Sequence, residues 1–198
     1  DPDGGLIGRE NGRLTGMLAE NAQNLVYDVQ PTPSLDEIVD AIEAGGRHLL
    51  QFGITSCMDA AVGHIDGMTE IEAYQQAEKS GRLPVRVWAT LLGDPGSSIV
   101  EPCHAMGLVT GTGSDMFRIG GVKVFTDGSA GGRTAWMRRP YVGQPDNFGI
   151  RMLPDAQLFE LLDRYTAMGY TMVCHGIGDA AIDQLVRAYE RVRAANPD

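Results

Sequence analysis

Lys123 interrupts an apolar, β-branched run, Val122-Lys123-Val124-Phe125, and His175 closes another, Tyr170 to Cys174. In a strand, side chains alternate between faces, so Lys123 and Phe125 share one face and Val122 and Val124 the other. A lysine in a sheet covered on both sides must be neutralised, paired, chemically modified or bound to metal. On an exposed edge it would simply reach solvent. An imidazole at a strand exit can ligate a metal or shuttle a proton. Asp59 ends a third apolar run, Ile54 to Asp59, and the loop after Phe125 carries Asp127, Ser129 and Arg133. Functional groups of α/β sheets gather at such strand-to-loop exits. The expectation is that Lys123 and His175 converge on one rim, with Asp59, Asp127, Ser129 and Arg133 facing a substrate. His64 falls in a loop opening on the same side, at the rim or in solvent, and His48 and His104 fall on helices; all three read as structural. Asp179 reads as the N-cap of the last helix.

The elements that would position these groups alternate. Residues 1–33 form a hairpin-like excursion, with Asn11-Gly12 between two apolar arms. From 34 onward the chain reads as βα units. Ser34 and Glu37 make a capping box for a helix ending near Gln51. A strand over Ile54–Asp59, a helix over Thr69–Ser80, a strand over Val85–Leu91 and a weaker helix over Ile99–Met106 follow. Then come the Lys123 strand, a helix over Asp155–Met168, the His175 strand and a helix over Ala180–Ala194. That last helix stops at Asn196-Pro197-Asp198 as if another strand should follow. Regular alternation demands parallel strands with right-handed crossovers. It fits a doubly wound sheet or part of a (β/α)₈ barrel, and a full barrel needs about 250 residues.

Composition narrows the function classes. A formal charge of −10 over 198 residues, with no basic face, argues against nucleic-acid binding. No apolar stretch of about eighteen residues is present to span a membrane. A basic-then-apolar leader is lacking too, which sets the expectation of a cytoplasmic protein. Cys57, Cys103 and Cys174 are widely spaced and suit reduced thiols. There is no dinucleotide fingerprint, P-loop or Gly-x-Ser-x-Gly elbow.

Two segments carry a resemblance. Val122-Lys123-Val124-Phe125-Thr126-Asp127-Gly128-Ser129 and His175-Gly176-Ile177-Gly178-Asp179-Ala180-Ala181 are similar to signatures of the amidohydrolase 3 family, the YtcJ-like and N-substituted formamide deformylase-like group. Asp1-Pro2-Asp3-Gly4-Gly5, Thr15-Gly16-Met17-Leu18 and Gly53-Ile54-Thr55-Ser56 are similar to family segments as well, so the likeness covers residues 1–198. It implies a (β/α)₈ barrel with a small β-sandwich, of which this chain would hold strands two to five as one segment of a single barrel domain. It also implies that Lys123, as a carbamate, and His175 are metal ligands.

The family's HxH pair, its sixth-strand histidine and its eighth-strand aspartate have no counterpart in the sequence. A catalytic zinc site needs three protein ligands and an open position. The resemblance thus implies a metal-dependent hydrolase of amide-like C–N bonds in small molecules, with a catalytic aspartate outside this chain and an isolated segment that is inactive. Zinc is the expected metal, with iron and manganese as alternatives in N/O sites. Uncovered barrel edges imply a homo-oligomer or other association through them. Two other readings stay open: a Schiff-base lysine in an aldolase-like barrel, and a non-catalytic half-barrel that serves assembly.

Overall fold

The structure is a computed structural model that describes residues 1–195. The expected stop at Asn196-Pro197-Asp198 lies outside the described residues. The chain opens with a hairpin, β1 (Gly5–Glu10) and β2 (Arg13–Glu20), whose strands pair antiparallel. Asn11 and Gly12 both take positive φ, 50° and 77°, as a two-residue primed turn demands. A 3₁₀ turn (Asn21–Gln23) and a one-turn helix α1 (Asn24–Tyr27) follow. The sequence reading had no element in this stretch.

Helix α2 (Leu35–Leu50) starts where the capping box places it. The Ser34 hydroxyl accepts the Glu37 N–H, and the Glu37 carboxylate accepts the Ser34 N–H at 2.8 Å. That reciprocal pair contributes about 1 kcal/mol. Then come β3 (Ser56–Val62), α3 (Met68–Lys79), β4 (Arg86–Leu92), α4 (Val100–Ala105) and β5 (Phe117–Phe125). The chain ends with α5 (Asp155–Ala167), β6 (Met172–His175) and α6 (Asp179–Ala195). The fold is α/β, with a four-stranded sheet in the order β3-β4-β5-β6 in which β3, β4 and β5 run parallel.

Strand β3 begins two residues later than expected and continues to Val62, which is fully buried. The apolar run goes on through Ala60 and Ala61, so Asp59 sits in mid-strand and not at its exit. Strand β5 is longer than expected, because Gly120-Gly121 does not break it. A Cβ at Gly120 would overlap the Trp88 indole of β4, so glycine makes room there for a large neighbour.

The residues form two compact units. One comprises Pro31–Val124 and Tyr165–Val173, and holds α2, α3, β3, β4, α4 and most of β5. Its core is Val62, Ile71, Leu91, Ile99, Val100, Ile119, Val122 and Val124. The Tyr165 and Tyr170 hydroxyls tie into it through the carbonyls of Gly93 and Leu108. Met58 and Trp88, register partners on β3 and β4, are 53% and 39% exposed, so one face of this part of the sheet is left open. The other unit comprises Asp1–Gln30, Phe125–Arg164 and Cys174 onward. Leu153, Leu158, Leu162, Ala181, Leu185 and Ala188 make its core, between the faces of α5 and α6. Among the described residues, no helix is long and apolar enough to cross a membrane.

Candidate functional site around Asp127 and His175

Strand β5 leads into Thr126 and Asp127, and strand β6 ends on His175. The two exits are stitched together within one unit by Thr126, whose N–H and hydroxyl both donate to the His175 carbonyl, at 3.2 and 2.5 Å. Asp127 is 1% exposed. Its carboxylate accepts three backbone N–H groups: Trp136 and Gly178 at Oδ2, both 2.8 Å, and Ile177 at Oδ1, 3.1 Å. A buried carboxylate is costly unless donors surround it, and three amides meet that requirement. The reading of Asp127 as a substrate-facing group thus meets a different geometry. Its oxygens are spent on fixing the loop to the turn before α6.

That turn is also held by Trp136, whose carbonyl accepts the N–H groups of Ala180 and Ala181 at 3.2 and 3.4 Å. These are orphan amides of a helix start. The cap expected from the Asp179 side chain is therefore supplied by a main-chain carbonyl, and the Asp179 carboxylate accepts the Arg138 N–H at 2.8 Å.

His175 is held, and partly open: its side chain is 25% exposed. Nε2 lies 2.9 Å from the Gly128 carbonyl oxygen and 3.7 Å from Asp127 Oδ1. Only the first distance is a hydrogen bond. A carbonyl can only accept, so Nε2 carries a proton, and in the neutral ring the lone pair is on Nδ1. Phe125 backs the ring at 5.4 Å between centroids.

The loop between these anchors is a structured turn. Gly132 N–H donates to the Ser129 hydroxyl at 3.0 Å, and the Ser129 carbonyl accepts the amides of Thr134 and Ala135. Ser129 is thus a turn-forming residue. Arg133 is exposed with φ 55°, a left-handed conformation for a non-glycine residue.

Sequence reasoning missed Glu20. It ends β2 at φ 51° and ψ −129°, a region that costs a non-glycine residue about 1–3 kcal/mol. Its carboxylate accepts the Thr134 hydroxyl at 2.5 Å. A Cβ at Gly128 would overlap both Glu20 Oε1 and Thr134 Oγ1, so the three residues are mutually fitted. The separation of 114 residues between Glu20 and Thr134 hides the contact from any local pattern.

Lys123 lies in the other unit. It is 7% exposed, on β5, and is the register partner of Leu92. The edge-strand alternative for this lysine is thereby excluded, since β5 has neighbours on both sides and the side chain is buried. Asp59 accepts the Tyr74 hydroxyl of α3 at 2.6 Å and the Ala61 N–H at 3.3 Å. Burial and this carboxylate push the Tyr74 phenol far above its ordinary range. A cleft of about 260 Å³ lined by Ser56, Arg86, Trp88 and Arg118 opens where β3, β4 and β5 begin, at the ends opposite the exits. Among the described residues, no group of three or more His, Cys, Asp or Glu could hold a metal by itself.

The α/β fold with its parallel sheet resembles those of solved metal-dependent hydrolases. The chain superposes on an uncharacterized metal-dependent hydrolase from Pyrococcus horikoshii OT3 with a TM-score of 0.71 and 25% identity, covering 86% of this chain and 33% of that one. A second, from Pyrococcus furiosus, gives 0.69 and 26%, covering 86% and 34%. The sequence model of the amidohydrolase family matches residues 1–198, and the chain belongs to that family. Relatives include the putative amidohydrolase YtcJ of Bacillus subtilis (strain 168), 28% identical over 96% of this chain and 35% of that protein. The N-substituted formamide deformylase of Arthrobacter pascens is 26% identical over 98% and 36%, and the protein LONG AFTER FAR-RED 3 of Arabidopsis thaliana is 29% identical over 100% and 35%. The chain therefore spans about a third of the length of the relatives it matches.

Proposed function

We propose that the protein to which this chain belongs is a metal-dependent hydrolase of amide-like C–N bonds in small molecules, and that the described residues form part of a (β/α)₈ barrel. The observation that carries the reading is His175. It stands partly exposed at a strand exit, with Nε2–H held by the Gly128 carbonyl, so that Nδ1 is the nitrogen that would ligate a metal. Family membership and the likeness to metal-dependent hydrolases support it. A divalent ion, zinc or else iron or manganese, would activate water and polarise the scissile carbonyl when bound.

The chain's own residues then have defined parts. His175 donates a neutral nitrogen whose tautomer is fixed in advance, as second-shell hydrogen bonds to metal ligands generally do. Lys123, buried in a strand, would ligate as a carbamate formed on its amine. Asp127 holds no proton in transit. It keeps the β5 loop and the turn before α6 in register, so that His175 has one orientation. Two such ligands fall short of a catalytic set, so the isolated segment is expected to be inactive.

The test uses the full-length protein. Elemental analysis, and hydrolysis of N-formyl and N-acyl amines, are compared for wild type, Lys123→Ala and His175→Ala. The expected result is bound divalent metal and amide hydrolysis in the wild type, and loss of both in each variant. Hydrolysis that survives chelation and both substitutions would sink the proposal.

A further inference from the structure

Four hydrogen-bonding groups lie in series in the unit that holds His175. The Glu20 carboxylate accepts the Thr134 hydroxyl proton at 2.5 Å. The Thr134 oxygen accepts the Ser129 N–H at 2.9 Å. That N–H and the Gly128 carbonyl are the two ends of one planar peptide group, and the carbonyl accepts His175 Nε2–H at 2.9 Å. The direction of the series is fixed at both ends. An ionised carboxylate only accepts, so the hydroxyl must donate to it and turn a lone pair toward Ser129. A carbonyl only accepts, so the imidazole must donate. Bonds aligned head to tail polarise one another, and a negative charge at the far end draws each proton toward it.

We propose that Glu20 is a positioning residue for His175, acting through the Thr134 hydroxyl and the Gly128–Ser129 peptide. This rests on the reading of His175 as a metal ligand. Asp127, the nearer carboxylate in sequence, does not fill the role: its Oδ1 is 3.7 Å from Nε2, and its oxygens are taken by three other amides. The series makes the Gly128 oxygen a stronger acceptor. It thereby holds the proton on Nε2 and leaves Nδ1 the better donor to a cation. The backbone of Glu20 adopts an unfavourable conformation, and that conformation delivers the carboxylate to Thr134.

The experiment follows metal release from the full-length protein into excess chelator, for wild type, Glu20→Gln, Thr134→Val, Thr134→Ser, the double variant Glu20→Gln/Thr134→Val and His175→Ala. Glu20→Gln and Thr134→Val should each speed release about tenfold. Thr134→Ser keeps the hydroxyl and should restore slow release. The double variant should lose no more than either single one, because the groups act in one series. In metal-free protein, ¹⁵N spectra of labelled histidine, assigned with His175→Ala, should show Nε2–H in the wild type and a shift toward Nδ1–H in both relay variants. A purely structural role for Glu20 would not move that tautomer. Wild-type release and tautomer in Glu20→Gln and Thr134→Val, with metal lost in His175→Ala, overturns the relay alone. Metal retained in His175→Ala overturns the reading beneath it.

Discussion

Replacing Asp127 by alanine removes the acceptor of three buried amides at once. Each of these bonds, at 2.8, 2.8 and 3.1 Å, ends on a carboxylate with essentially no exposure. Hydrogen bonds to charged groups contribute roughly 1.5–3 kcal/mol each, and the amides of Trp136, Ile177 and Gly178 would be left without acceptors. Three such losses share one cavity and relax together, and water can enter it, so the low end of their sum applies: about 4.5 kcal/mol. Asp127→Asn is the milder change. Its oxygen can take the Oδ2 position and keep Trp136 and Gly178, but its NH₂ then faces the Ile177 N–H, which costs about 2 kcal/mol. Urea unfolding at pH 7 with an unchanged slope gives the measurement. For a slope of about 2–3 kcal/mol/M, the alanine variant should lose about 1.5–2 M in midpoint and the asparagine variant about half of that. Amide exchange at Ile177 and Gly178 should accelerate in the alanine variant. A midpoint within about 0.3 M of wild type for Asp127→Ala would refute the accounting, as would equal losses for both variants.

Asp155 gives a pH dependence with a definite sign. Burial acts to raise its pKa, but hydrogen bonds from Arg187 and Gln184, with the nearby Arg151 charge, outweigh burial and hold the carboxyl below its usual range. Its contribution to stability is therefore present above the ordinary aspartate pKa, and is lost as pH falls through the depressed value. The stability gap between wild type and Arg187→Met should be constant near neutrality and close below about pH 4, as followed by thermal melts across pH. A gap that widens toward acid contradicts the assignment. Cys103 is fully buried, and burial pushes its thiol up to about 11. At pH 8 it should resist a thiol-specific reagent in the folded protein and react on unfolding; mass mapping of the modified cysteines decides this.

Much of the scaffold is written in local signals. The Asn11-Gly12 turn, the Ser34–Glu37 box and the periodic apolar faces of α5 and α6 each stand on residues within a few positions of one another. Strand boundaries were less legible. At β3 the apolar run continued past Asp59, and at β5 the glycine pair that resembles a break is a seat for Trp88. Lys123 and His175 were legible as polar residues set into or closing apolar strands, and they do lie on β5 and β6. The partners of the site were not. Asp127 meets two of its three donors 50 and 51 residues later, Gly128 meets His175 47 residues later, and Glu20 reaches Thr134 across 114. Such contacts depend on which strands neighbour each other, and no local period encodes them. Asp127-Gly128 reads locally as a turn, and a turn gives no hint that its carboxylate will organise two distant segments.

The long interval between Asp127 and its donors Ile177 and Gly178 sets an order of events during synthesis. Asp127 leaves the ribosome some fifty residues ahead of Ile177 and Gly178. At about 5–20 residues per second, that is roughly 3–10 s in which only one of the carboxylate's three donors, the Trp136 N–H, has been made. During this time β5 can pair with β4, whose residues are already present, while the loop beyond Phe125 remains hydrated. Closing an interval of that length carries an entropic penalty that later contacts must offset. The orientation of His175 is therefore a late property of the nascent chain, completed only when the first turn of α6 emerges. A translational pause placed between Phe125 and Gly178 would prolong the open state without altering the final one.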